Sequence, residues 1–235
     1  MATPKHTQQG HFGRGLFRFL SDLKVNNDRE WFAANKERYV SEVEEPMLHF
    51  IADLDRRLAK VSARFPTDAR RSGGSMLRIY RDTRFSKDKS PYKTAVAAHF
   101  AHEAGKHEAR EKDMSVPGFY IHIEPGSTIG GGGIYHPDPI SLGRIRDRIV
   151  DHPDEWKTVL RAKVTIEGES LKRPPAGYDP THPFIEDIKR KDFYATTKFS
   201  DAEVCRPGFI DDFVKACGRT SPLLVFITKA LGLRW

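Results

Sequence analysis

Residues 118–125 read GFYIHIEP, in which apolar and polar side chains alternate. Successive side chains of a β-strand point to opposite faces of the sheet. One face of this strand would carry Phe119, Ile121 and Ile123, and the other Tyr120, His122 and Glu124. Such alternation predicts an antiparallel sheet with one face on the core and one polar face.

Other strands are predicted on both sides of this stretch. MLRIY at 76–80 and AVAAHFAH at 95–102 precede it, and FYATTKFS at 193–200 follows much later. STIGGGGIYHPDP, residues 127–139, predicts a bulged strand followed by a turn, because consecutive glycines weaken a regular ladder. The glycine run lacks the lysine of a phosphate-binding loop and the setting of a dinucleotide fold, so we expect it to have a conformational role.

Helical spacing dominates the N-terminal part of the chain. The first helix is predicted from the apolar positions Phe12, Leu16, Phe19, Leu20 and Leu23. Asn26 and Asn27 supply its end, and Asn27 with Glu30 resembles a capping box that opens the next helix. Apolar positions then keep helical phase to Val61 across Pro46, which predicts one long helix kinked at Pro46 or two nearly collinear helices.

The second half is mainly helical. Helices are predicted for 140–152, opened by Asp138 or Pro139, for 154–163 after Pro153, for 184–190, and for two closing helices over 207–232. Runs of strands bracketed by runs of helices predict an α+β fold, with a mostly antiparallel sheet flanked by N-terminal and C-terminal helices. We expect residues 1–11 to be a flexible lead and 12–235 to be a single domain.

Composition excludes several classes of protein. Among 235 residues, 38% are hydrophobic and 30% charged, and the apolar run at 222–227 is far shorter than the roughly 20 residues that cross a bilayer. The N-terminus shows no apolar segment of a secretory signal, so we predict a cytoplasmic protein with no membrane partner. Cys205 and Cys217 are the only cysteines, which excludes a disulfide framework or a thiolate zinc site and predicts small hydrophobic roles.

Positive charge is concentrated in one part of the chain. The net charge is +7, and residues 70–93 hold eight Lys and Arg residues against two Asp residues. Most of this excess positive charge lies in or next to residues 81–93, RDTRFSKDKSPYK. A concentrated positive field attracts phosphate groups or acidic surfaces.

Five stretches resemble a widespread, mainly bacterial family known as domain of unknown function 2461. They are NNDREWF at 26–32, LRIYRDTRFSKDKSPYKT at 77–94, GFYIHIEPG at 118–126, GGGIYHPDP at 131–139 and RPPAGYDPTHPFIEDIKRKDF at 173–193. The resemblance covers nearly the whole chain after the first dozen residues and supports a single domain. The family has no established activity, so the resemblance implies no catalytic or ligand-binding residue.

We predict a pocket for a phosphate-bearing or carboxylate ligand between residues 78–93 and the polar face of the strand at 118–125. Arginine contacts such anions through two parallel hydrogen bonds, and lysine adds point charge. The candidate ligand-binding residues are Arg78, Arg81, Arg84, Lys89, Tyr92, Lys93 and Tyr120. In the structural alternative, Asp82 and Asp88 pair with two of the cations and hold an ordered loop, with Phe85 and Tyr92 packed beneath it.

Two other functions remain open. His122 and Glu124 share a strand face and would serve as acid and base in an enzyme that acts on the bound anion. A nucleic-acid or protein interaction module is the other alternative, in which exposed aromatic rings stack on bases. The SxxK spacings that start at Ser86 and Ser90 offer a weak nucleophile motif. We predict no metal and no cofactor, because His99 and His102 would diverge on a strand.

Overall fold

Helices form the N-terminal part of the protein in the computed structural model, which describes residues 10–84, 86–105 and 116–235. Helix α1 (Arg14–Val25) buries the predicted apolar positions Leu16, Phe19, Leu20 and Leu23. It ends at Asn26, whose backbone N–H and side chain both donate to the carbonyl of Asp22. The first predicted helix and its end are therefore confirmed.

The next helical segment is less regular than the sequence predicts. It comprises α2 (Arg29–Ala34), α3 (Lys36–Tyr39), a π-helical turn (Val40–Glu44) and α4 (Glu45–Leu58). The prediction of a kink at Pro46 is wrong in position, because the irregular turn comes before the proline. Pro46 has no N–H to donate four residues back. The wider turn, in which the Glu45 N–H donates to the Val40 carbonyl, accommodates this loss.

The predicted cap of this segment is shifted by one residue. Asp28, not Asn27, is the N-cap of α2, and its side chain accepts from the Trp31 N–H at 2.8 Å. Asn27 instead holds the backbone of Tyr92 from both sides. Its Nδ2 donates to the Tyr92 carbonyl and its Oδ1 accepts from the Tyr92 N–H, both at 3.0 Å. Either side chain can cap a helix, so the later start leaves Asn27 for this long-range contact.

A four-stranded antiparallel sheet forms the middle of the chain, in the order β1-β2-β3-β4. The strands are β1 (Val96–Ala101), β2 (Gly118–Ile123), β3 (Thr128–Ile134) and β4 (Phe193–Phe199). The predicted strand at 76–80 makes isolated bridges only, from Met76 to Ala98 and from Tyr80 to Tyr92. The α+β fold with an antiparallel sheet is confirmed.

The glycine run of β3 is regular, so the predicted bulge is wrong. Its register is unbroken against β2 and against β4. Gly130 and Gly132 face the core, where an added Cβ would lie 2.8 Å from Phe213 and 2.7 Å from Leu224. The absent side chains therefore let the helix that carries Phe213 and Leu224 pack directly on the strand.

The helices of the second half largely follow the prediction. They are α5 (Pro139–Asp151), α6 (Pro153–Arg161), α7 (Ile185–Ile188), α8 (Asp201–Val204) and α9 (Phe209–Ala230). The two closing helices predicted over 207–232 are one helix, α9, with Pro222 inside it. Pro222 leaves the Gly218 carbonyl without its usual donor, and the hydroxyl of Ser221 donates to that carbonyl at 2.7 Å.

Two groups of buried side chains form the core. The first joins α1, α4, β1 and β2, and the second joins α5, α6 and parts of β3 and β4. Helix α9 contributes to both, with Phe213 in the first and Phe226 in the second. Both cysteines are unpaired, with Cys217 buried in the first group and Cys205 packed against it. In the described ranges, no helix has the length and apolar character to cross a membrane.

Candidate functional site

The segment 78–93 folds back on itself as a short antiparallel ribbon. The Arg81 N–H donates to the Pro91 carbonyl at 2.9 Å, and the Lys93 N–H donates to the Ile79 carbonyl at 2.7 Å. Residues 82–84 and 86–90 lie in the loop between the two sides of the ribbon, and the predicted role of Phe85 falls outside the described residues. The cations of the signature stretch therefore lie on a ribbon and loop rather than along one straight strand.

Both acids of this loop pair with cations, as the structural alternative predicted. Asp82 pairs with Arg84 at 2.7 Å, and Asp88 pairs with Arg81. The hydroxyl and N–H of Ser90 also donate to Asp88, at 2.6 and 2.9 Å. The hydrogen bonds from Ser90 and then from Arg81 lower the pKa of Asp88. Two of the predicted ligand-binding arginines thus already have carboxylate partners.

The predicted lysines of the segment donate to backbone carbonyls. Lys89 Nζ lies 2.9 Å from the Thr83 carbonyl, and Lys93 Nζ lies 2.8 Å from the Arg78 carbonyl. A carbonyl satisfies a hydrogen bond but leaves the net charge of the ammonium in place. Burial, and then the positive charge of Arg78, lower the pKa of Lys93.

Tyr92 is part of the core rather than of the surface. It is 5% exposed, and its ring stacks on Phe32 with centroids 4.0 Å apart and an interplanar angle of 18°. The ring centroid of Tyr80 lies 5.5 Å from that of Tyr92, and Tyr80 is 52% exposed. The aromatic surface that a ligand can reach is therefore the ring of Tyr80, and Tyr92 supports it from beneath.

Next to the ribbon is a cavity of about 290 Å³ that we call the basic pocket. Lys36 comes from α3, Arg71 from the loop after α4, and Arg78 from the base of the ribbon. The described residues that line it are Lys36, Tyr39, Glu44, Arg71, Ser72, Met76, Leu77, Arg78, Ile79 and Tyr80. Three cations and one carboxylate give these described residues a net positive charge.

Each charged side chain of the basic pocket has a different environment. Arg71 pairs with Glu44 and contacts Glu45 at 3.2 Å. Lys36 Nζ lies 4.8 Å from the ring centroid of Tyr39 and 5.3 Å from that of Phe32. Among the described residues, Lys36 has no carboxylate partner. Its charge is therefore available to an anion in the pocket.

Tyr39 supplies a neutral donor to the same pocket. It is 3% exposed, and burial, together with the nearby Glu44, raises its pKa above the usual value. A raised pKa keeps the phenol protonated at neutral pH, so its O–H can donate a hydrogen bond.

The predicted residues of β2 lie elsewhere. Tyr120, His122 and Glu124 share one face of the strand, as the alternation predicted, and contact one another in sequence. The Tyr120 hydroxyl lies 3.4 Å from His122 Nδ1, and His122 Nε2 lies 3.3 Å from Glu124 Oε2. The hydroxyl of Thr94 donates to Glu124 at 3.2 Å. None of the three predicted residues lines the basic pocket.

Residues of the SxxK and His99–His102 patterns make structural contacts. Ser90 donates to Asp88, and Lys93 donates to the Arg78 carbonyl, so this SxxK pair makes other contacts. His102 is 2% exposed and its Nε2 lies 2.8 Å from the carbonyl of Arg234. Across the described ranges there is no group of three or more side chains that could hold a metal ion.

The sequence alone did not identify Lys36, Glu44 or Tyr39 as part of this site. Arg71 falls within the basic stretch at 70–93, whereas Lys36 lies in a helix more than thirty residues earlier. No local pattern distinguishes Lys36 from other exposed helical lysines. Only the packing of α3 against the ribbon brings it to the pocket.

The family comparison is consistent with the motifs described above. The model of a conserved hypothetical protein family, DUF2461, matches residues 15–226. The chain belongs to this family. No curated protein and no solved structure gave a significant match.

In this DUF2461 protein, the stretches that carried the resemblance hold one another in place. Asn27 of NNDREWF binds the backbone of Tyr92 in the basic segment. Asp192, in the last stretch, is fully buried and accepts from the N–H groups of His136 at 2.8 Å and Glu169 at 3.0 Å. Asp192 therefore fixes the turn after β3. Several signature residues thus have structural roles.

Proposed function

We propose that the protein binds a small phosphate-bearing or carboxylate ligand in the basic pocket. The observation that carries this proposal is the convergence of Lys36, Arg71 and Arg78, from three separate parts of the chain, on one cavity whose described lining holds one carboxylate. Cations that converge on a concave site offer charge-assisted hydrogen bonds to an anion, which are stronger than neutral ones.

Each group has a distinct task in this proposal. The guanidinium of Arg78 provides a planar pair of donors for phosphate or carboxylate oxygens, and Lys36 adds a point charge. Tyr39 contributes a neutral O–H. Arg71 would share its donors between Glu44 and the ligand, because it already pairs with that carboxylate. The exposed ring of Tyr80 offers a stacking surface at the mouth of the pocket.

The cations of the loop and ribbon outside the basic pocket contribute less to binding in this proposal. Arg81 and Arg84 are paired with Asp88 and Asp82, so a ligand that used them would first have to displace a carboxylate. Lys89 and Lys93 retain their charge while donating to carbonyls and would raise the local concentration of anions. Of the predicted ligand-binding residues, Arg78 lines the basic pocket, and Lys36 and Arg71 are added to the set because they line it too.

Binding is favoured over the two alternative functions. Acid–base chemistry on the ligand would require His122 or Glu124 to reach it, and neither lines the basic pocket. Nucleic-acid binding would use the exposed Tyr80 ring with the loop cations, but Tyr92 is buried and cannot stack on a base. We also place the protein in the cytoplasm, a reducing compartment that suits its two unpaired cysteines.

Isothermal titration tests the proposal. Inorganic phosphate, adenosine monophosphate and citrate are titrated into wild-type protein at low ionic strength, and then into Lys36→Gln and Arg78→Gln. Loss of a hydrogen bond to a charged group costs about 1.5–3 kcal/mol, so each variant should bind roughly ten- to a hundred-fold more weakly. Lys87→Gln is the matched control, because it removes the same charge from an exposed loop position outside the pocket.

Two results would refute the proposal. One is the absence of heat with all three ligands. The other is an equal loss of affinity in Lys87→Gln and Lys36→Gln, which would indicate a general charge effect. If a single-stranded oligonucleotide binds and all three variants weaken it equally, the loop is a nucleic-acid surface instead.

A further inference from the structure

A second cavity lies on the polar face of the sheet, away from α9. The strand register places one residue of each strand side by side in rows across this face. One row is His99, Tyr120, Gly131 and Thr196, and the next is Ala101, Gly118, Gly133 and Tyr194. The cavity above these rows, which we call the sheet pocket, has a volume of about 230 Å³.

Glycines form the floor of the sheet pocket and cannot be replaced without moving the neighbouring strand. An added Cβ would lie 2.1 Å from the Ala195 carbonyl oxygen at Gly131 and 2.3 Å from the Phe193 carbonyl oxygen at Gly133. Gly133 also has a φ of +152°, which side-chain-bearing residues rarely adopt. The floor is therefore flat backbone, and the side chains of the flanking strands rise around it.

His99 is the central polar group of the sheet pocket. Its Nε2 lies over Gly118, where an added Cβ would be only 2.2 Å away. Neither ring nitrogen has a hydrogen-bond partner among the described residues. Burial lowers the pKa of His99 to about 4, so the imidazole is neutral at physiological pH and offers one donor and one acceptor.

The walls of the sheet pocket are aromatic and uncharged. Tyr120 and Tyr194 flank the glycine floor, because they pair with Gly131 and Gly133, and Tyr135 also lines the cavity. Burial raises the pKa of Tyr120 to about 12 and raises that of Tyr194, so both phenols stay protonated. The hydroxyl of Tyr194 has no partner in the part of the chain that the structure describes. Among the residues that the structure describes, no Asp, Glu, Lys or Arg lines the cavity.

We propose that the sheet pocket binds a small uncharged planar ring compound that carries a hydrogen-bonding heteroatom. A flat floor between tyrosine rings favours a planar ring, because aromatic groups gain from stacked and edge contacts. A charged ligand would lose its hydration here without gaining a partner charge. The unpartnered imidazole of His99 supplies the hydrogen bond that fixes the ring. A volume below the roughly 300–1,000 Å³ of typical ligand pockets limits the ligand to one ring or two fused rings.

This site is independent of the proposed anion site, because no described residue lines both cavities. Failure of one proposal therefore leaves the other intact. The two sites also differ in electrostatics: the described lining of the basic pocket includes Lys36, Arg71 and Arg78, whereas that of the sheet pocket carries no charged side chain. A panel of small probes can distinguish them.

Ligand-observed NMR and titration test the sheet pocket with four probes. Benzimidazole and indole are uncharged planar rings with a heteroatom, indene is their hydrocarbon counterpart, and benzoate is an anionic ring. We expect saturation transfer to benzimidazole and indole and little transfer to benzoate. His99→Phe retains a ring but removes both nitrogens, so it should weaken benzimidazole about two- to tenfold, the range of one neutral hydrogen bond, and leave indene unchanged.

Tyr194→Ala removes a wall and should weaken all three uncharged rings. Arg78→Gln, in the basic pocket, is the control and should change none of them. The proposal is overturned if no uncharged ring binds at millimolar concentration or if benzoate binds as well as benzimidazole. It is also overturned if His99→Phe and Tyr194→Ala, both shown to be folded by circular dichroism, bind all probes like the wild type.

Discussion

The two hydrogen bonds between Asn27 and the backbone of Tyr92 predict a measurable contribution to the free energy of unfolding. Asn27 holds both backbone groups of Tyr92 at 3.0 Å and is 65 residues away in sequence. Asn27→Ala removes two hydrogen bonds and leaves a partly buried N–H and C=O without protein partners. Each such loss costs about 1–2 kcal/mol, so we expect the free energy of unfolding to fall by about 2–4 kcal/mol.

Urea unfolding measures this change. With an m-value of roughly 3 kcal/mol/M for a chain of this size, the midpoint should fall by about 1 M. The matched control is Asn26→Ala, one residue earlier, whose side chain donates to the Asp22 carbonyl at an exposed position. Substitution of an exposed side chain of this kind changes the free energy of unfolding by about 0.5 kcal/mol or less.

Local measurements show whether the loss is confined to the ribbon. In Asn27→Ala the Tyr92 N–H should exchange with solvent faster than in the wild type, and trypsin should cleave the loop at 82–90 more readily. If Asn27→Ala and Asn26→Ala unfold at the same urea concentration, the proposed tether is not a stabilising contact.

Two further predictions concern the glycine run and the loop acids. Gly132→Ala places a Cβ 2.7 Å from Leu224 and should destabilise the protein by about 1–3 kcal/mol. Gly143 lies in α5, where an added Cβ would meet nothing within 4 Å, so Gly143→Ala should stabilise the protein by up to about 1 kcal/mol. Thermal unfolding of both variants tests this, and equal shifts in melting temperature would contradict it. Asp88 has a pKa in the folded state below its ordinary 3.8, so its stabilisation is present above that value and lost as pH falls. Asp88→Asn should therefore be less stable than wild type at pH 7, with a gap in urea midpoint that narrows as pH falls below 3.8; a gap that stays constant as the pH is lowered through that value would disprove the contribution.

Local signals explain which elements were predictable. Helix α1 ends at Asn26, and α5 begins after Asp138, whose side chain accepts from the N–H groups of Ile140 and Ser141. These signals depend on residues within one turn of each other, so they act in any tertiary context. The alternation in GFYIHIEP is equally local. It determined which side chains of β2 face the core and which face away.

Competing local signals explain the errors. Asn27 and Asp28 are both good caps, and the choice between them was made by Tyr92, far away in sequence. Pro222 predicts a helix break, but the Ser221 hydroxyl satisfies the Gly218 carbonyl that proline leaves without a donor. The glycine run predicts a bulge, yet the close approach of α9 requires a regular strand without side chains.

Periodicity and composition predict the α+β class, the polar face of β2 and the concentration of positive charge at 70–93. A chain carries both patterns before it folds. Which charges converge depends instead on tertiary packing. Packing pairs Arg81 and Arg84 with loop acids, brings Lys36 from α3 to the cavity that Arg78 lines, and places His99 and Tyr194, from the two edge strands of the sheet, in one cavity. The physical reason is that strand register and helix packing bring together residues distant in sequence, and neither leaves a local pattern at those residues.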